Sequence, residues 1–122
     1  MTVTIRQAAT ALLGTFNPLT IHEALAVDPL HPLLPFALAF LETRTTDTEP
    51  ANPDRTAWLI DYGMKRLPAD TSAADLRLAA RCVAKVAESL PAQKPAALAL
   101  LDRAAKLAPE DDETRKLRES LK

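Results

Sequence analysis

Apolar residues recur along the chain at intervals of three and four, in short runs that prolines cut off. The clearest run is Leu76, Ala79, Val83, Val86 and Leu90, which predicts one buried face of a helix over 72–90. Inside a helix, proline removes a hydrogen bond and clashes with the preceding turn at about 3 kcal/mol, whereas the first turn tolerates it. Pro18, Pro53 and Pro95 each precede an apolar run, and Pro29, Pro68 and Pro109 each follow one. Asn17-Pro18 and Asn52-Pro53 have the form of an N-cap followed by proline at the first helical position. These signals predict helices over 18–27, 53–66 and 94–107. Four more fill the chain: 4–14, with Gly14 as its stop; 32–43, with Pro32 and Pro35 in its first turn; 72–90; and 110–121. The last opens on Glu110 to Glu113 and closes on Arg115, Lys116 and Arg118, which suits the helix dipole. Asp111–Arg115 and Asp112–Lys116 are spaced to pair one turn apart. Thr43 to Asn52 is polar and reads as a mobile loop.

The closing prolines Pro29, Pro68 and Pro109 stand about 40 residues apart. Five residues before each sit Ala24, Gly63 and Ala104, all small; eight before sit Ile21, Ile60 and Leu101, all large. Twelve before are Asn17, Thr56 and Ala97. Small residues let two helix backbones approach, and the large residue one turn away fills the neighbouring gap. The segments His22-Glu-Ala-Leu-Ala-Val-Asp-Pro29 and Asp102-Arg-Ala-Ala-Lys-Leu-Ala-Pro109 resemble the second helix and closing proline of the tetratricopeptide repeat (TPR) family. Ala37-Leu38-Ala39 and Leu78-Ala79 fit the signature of its first helix. The resemblance is degenerate: family repeats span about 34 residues. These run longer, and the usual first-helix tryptophan is missing, with Pro35 and Asp75 near its place. It implies an all-α fold of about seven helices, with antiparallel hairpins stacked as a short α-solenoid over 1–122. The repeat units close near Pro29, Pro68 and Pro109, and the charged helix at 110–121 caps the last pair.

Composition narrows the function. Aliphatics dominate, with 48% hydrophobic residues against 4% aromatic, and at 122 residues one self-sufficient core is expected. Fifteen basic residues face 16 acidic ones, without the concentrated positive charge that nucleic acid requires. No stretch has the roughly 20 apolar residues of a membrane span. The opening residues, with only Arg6 basic and with Gln7, Thr10 and Thr15 among the apolar positions, lack the pattern of a secretory signal. A single cysteine excludes an internal disulfide, and the expected location is cytoplasmic.

Catalytic chemistry finds little footing. His22 and His31 have no second His or Cys at ligand spacing, so no metal or other cofactor is expected. Cys82 falls beside the apolar face of 72–90 and reads as a buried small hydrophobe, with an Arg81-activated thiol as the alternative. The expected function is therefore non-catalytic: an adaptor or chaperone-like module that holds a partner peptide or helix. The alternative is a structural subunit that self-associates through apolar helix faces.

Two features bear on where a partner binds. Phe36 and Phe40 lie one turn apart on a helix that is apolar nearly all round, which by itself reads as a central, buried helix. The TPR resemblance implies instead that Phe36 and Phe40, with Leu76 and Ala80, floor a concave groove for an amphipathic helix. Arg77, Arg81 and Lys85 recur every four residues, as a solvated stripe or, by the same resemblance, as a clamp for a carboxylate-rich peptide or chain terminus.

Overall fold

A computed structural model describes residues 5–15, 17–29, 31–43 and 53–121. Among these residues the chain forms seven α-helices and no strand. They are α1 (Ile5–Leu13), α2 (Pro18–Val27), α3 (Leu34–Glu42), α4 (Pro53–Arg66), α5 (Ala73–Ser89), α6 (Lys94–Leu107) and α7 (Asp112–Leu121). One 3-10 turn, Pro91–Gln93, takes up the extra length between α5 and α6. No helix of the described residues is long and apolar enough to cross a membrane.

The helix starts have local causes. Asn17 Oδ1 accepts the Leu19 amide at 3.0 Å, capping α2 ahead of Pro18. The Ser72 hydroxyl accepts the Asp75 amide at 3.2 Å and caps α5. Such caps satisfy amides that have no partner within the helix. Of the loop expected over 43–52, residues 44–52, Asn52 among them, lie outside the described residues. In α3 the sequence expectation needs adjusting: Pro32 sits in the turn before the helix, and only Pro35 lies in its first turn.

The most extensive packing joins α1 to α2, α3 to α4, and α5 to α6, so three successive hairpins follow the proline punctuation. Between hairpins, α2 meets α3 and α3 packs against α5, while α7 lies on α6 and touches α5. This is a short, solenoid-like stack of helix pairs. The second helices α2 and α4 make no extended contact, which leaves a groove between them.

Two of the three repeat columns point inward. Ala24, Gly63 and Ala104 are buried, as are Ile21, Ile60 and Leu101. Gly63 is small for a visible reason: a Cβ there would lie 2.9 Å from Phe36 Cζ, so its absence lets α3 and α4 close up. The third column divides. Thr56 and Ala97 are buried, but Asn17 is exposed and serves as the α2 cap.

Candidate functional site

Phe36 and Phe40 are 0% and 2% exposed, and Leu76 and Ala80 are fully buried with them in one hydrophobic core. The floor that the TPR resemblance implied is therefore interior. The physical reason is that α3 packs against α4 on one side and α5 on the other, so both of its apolar faces are covered within the chain. Of the two readings of this helix, the central, buried one holds.

The basic stripe also divides. The Arg77 guanidinium binds the Asp111 carboxylate and lies 3.2 Å from Glu113 Oε2, tying α5 to the start of α7. Asp111 caps α7 by accepting the Glu113 amide at 3.2 Å and the Thr114 hydroxyl at 2.7 Å. The Thr114 hydroxyl, then the Arg77 charge and the Glu113 amide, hold its carboxyl below the usual carboxylate range, with desolvation acting the other way. This cap corrects the expected Asp111–Arg115 and Asp112–Lys116 pairs; Arg115 instead meets Asp112 at 2.7 Å. Arg77, Arg81 and Lys116 border one open groove between α5 and α7, of about 470 Å³. Lys85 stands elsewhere, at a cleft of about 70 Å³ beside Glu88 and Thr43. The three cations thus do not converge on one point.

Cys82 is buried, and burial pushes its thiol up to about 12 against the pull of Arg81 and Lys85. A thiol so far from ionisation is a poor nucleophile. His22 is exposed on α2. His31 is 2% exposed, and both ring nitrogens are engaged. Nδ1 accepts the Leu33 amide at 3.0 Å, which assigns the ring proton to Nε2, 2.7 Å from Thr10 Oγ1. The ring thereby pins the α2–α3 turn onto α1.

That turn forms one wall of a groove of about 500 Å³ between α2, the start of α3, and α4. Pro29, Pro32, Pro35 and Pro68 border it. On its other side stand Trp58 and Tyr62, one turn apart on α4, their rings stacked at 5.1 Å and 19°. Trp58 is 60% and Tyr62 37% exposed, and the Arg66 guanidinium lies 5.2 Å from the Tyr62 ring centroid. Buried area is the strongest drive for an aromatic side chain, so an exposed stacked pair at a groove marks surface with apolar contact left to make.

The sequence reading misses these three α4 residues, yet the repeat carries the signal. Trp58 and Tyr62 stand ten and six residues before Pro68. Their counterparts before Pro29 are Leu19 and Glu23, and before Pro109 are Ala99 and Arg103; none of the four is buried. The phase that sends Ile60 and Gly63 inward sends Trp58 and Tyr62 outward. No protein-family model matches the chain, and no match was found among curated proteins or solved structures.

Proposed function

We propose that this protein is a non-catalytic protein-interaction module, an adaptor or chaperone-like scaffold built on TPR-like helix pairs. Its seat for a partner is the groove between α2 and α4. The observation that carries this reading is the exposed Trp58–Tyr62 stack beside a cavity of about 500 Å³. Grooves lined by apolar side chains with a few polar groups are the usual ligand-binding form, and Trp, Tyr and Arg dominate the energetics of protein interfaces. The α5–α7 groove is the weaker seat, because Arg77 is already committed to Asp111 and Glu113. The TPR-like reading rests on the hairpin order and the small and large positions repeated before each closing proline.

Selection of peptides from a display library on the immobilised full chain tests the proposal. Selected peptides should bind the double variant Trp58→Ala/Tyr62→Ala at least about 10-fold more weakly, with its helical circular dichroism unchanged. Equal binding by that variant would remove the groove from consideration. Sedimentation addresses the self-associating alternative. A groove binder stays monomeric alone, whereas a dimer that Trp58→Ala dissolves would turn the same surface into a contact between copies.

A further inference from the structure

Resting on that reading, we infer that the occupant of the α2–α4 groove is an extended, proline-bearing segment of a partner protein with an acidic residue beside it. Four observations select it. The first is shape: the Trp58–Tyr62 stack is a flat aromatic shelf, against which proline rings pack face to face without losing chain freedom, since proline is already stiff. The second is the opposite wall. Pro29, Pro32 and Pro35 carry no amide hydrogen, so no strand can pair along them, and a bound chain must be held by its side chains and carbonyls.

Third, the polar side chains bordering the groove are His31, Trp58, Tyr62 and Arg66. Both His31 nitrogens are used internally. What remains is the Trp58 indole and the Arg66 guanidinium, which only donate, and the Tyr62 hydroxyl, which does either. Side chains that donate and scarcely accept suit a chain that brings carbonyls without amides. A polyproline II segment does this, for its carbonyls are unbonded and its prolines have no N–H. An α-helix has already spent its carbonyls on itself, and with side chains it is about 10–12 Å across, so a cavity of this volume would hold little more than one turn. Fourth, charge: Arg66 pairs with no carboxylate among the described residues. An acidic residue flanking the prolines supplies one.

The test uses the full chain and a capped synthetic peptide of consecutive prolines ending in glutamate. Trp58 is the only tryptophan, so its fluorescence reports occupancy of this groove directly. The expected result is a saturable change that weakens at least about 10-fold in Tyr62→Ala and only slightly in Tyr62→Phe. Replacing glutamate by glutamine in the peptide should cost about 2- to 5-fold, and added salt should reduce the difference. A peptide with alanine for proline, and an amphipathic helix-forming peptide, are the competitors. If either perturbs Trp58 as strongly as the proline peptide, the extended proline occupant is wrong while the interaction module stands. Silence of the proline peptide likewise overturns this inference. The module itself fails only if library-selected peptides ignore the loss of Trp58 and Tyr62.

Discussion

Two pairs of aromatic residues, each spaced one helical turn apart, have opposite fates in this molecule. Phe36 and Phe40 disappear into the core, while Trp58 and Tyr62 stack in the open. Their spacing is the same and the helices that carry them pack on each other, so neither explains the difference. What separates them is the rest of each helix. In α3 almost every position is apolar, so whichever face the phenylalanines occupy is covered by α4 or α5. In α4 the buried face is Thr56, Ile60 and Gly63, with Leu59 and Met64 packed beside it, and the aromatic pair is left on the flank. Aromatic spacing identifies a patch; the periodicity of its neighbours decides whether the chain itself consumes that patch.

The sharpest way to break this comparison is to truncate both phenylalanines. Each buried Phe→Ala change costs about 3–5 kcal/mol, and the whole fold of such a domain is worth about 5–15 kcal/mol. Phe36→Ala/Phe40→Ala should therefore lose its cooperative thermal transition and most near-ultraviolet structure. A folded, helical double variant would mean that this face is not core.

A smaller effect probes how tightly Phe36 is held. In Gly63→Ala, three Phe36 ring atoms lie within 2.9–3.1 Å of the new methyl, and the ring is fully enclosed. Overpacking costs about 1–3 kcal/mol, and the better helix propensity of alanine returns up to about 1 kcal/mol. The expected net is a loss of about 1 kcal/mol by denaturant melt. Gly14→Ala is the control: its nearest contacts would be 3.5 and 3.6 Å, so no loss is expected.

At the exposed pair the stability effect should be smaller still. Trp58→Ala removes a stacked contact on a side chain already more than half in water, and should cost at most about 1 kcal/mol. A loss comparable to that of the Phe36/Phe40 variant would show that Trp58 is part of the fold rather than of a recognition surface.

The helical layout is largely legible in the sequence, because proline punctuation acts locally: a missing amide and a fixed φ mark a helix end whatever packs around it. Pro18, Pro29, Pro53, Pro68, Pro95 and Pro109 all fall within a few residues of a boundary. The hairpin order is legible for the same reason, through the columns of Ala24, Gly63 and Ala104 and of Ile21, Ile60 and Leu101. The candidate site is not. Phe36 and Phe40 stand out as an aromatic pair, but an all-apolar helix has no phase from which to tell groove from core. Trp58 and Tyr62 do have a phase, set by Ile60 and Gly63, and the outward columns of the repeat expose them once they are weighed alongside the inward ones. The groove wall depends on His31 holding a turn against Thr10, a contact between distant residues that no local pattern announces.

The same distinction, between a need met inside the chain and one left open, separates two arginines. Arg77 is bound by Asp111 and Glu113, whereas Arg66 has only the face of Tyr62 among the described residues. The Asp111 carboxyl reports on this. Its folded value lies below the usual one, so its contribution to stability is present above the unfolded value of about 3.9 and is lost as pH falls through the lowered folded value. Arg77→Gln removes the positive charge but leaves the Thr114 hydroxyl and the Glu113 amide, so the Asp111 titration followed by NMR should move partway back up. The acid limb of the stability curve should move up in pH with it. Arg66→Gln should leave the acid limb of the stability curve where it is and alter only the binding of acidic peptides. If Arg66→Gln instead moves that limb, the cation is already paired within the fold, and the charge complementarity proposed for the groove is lost.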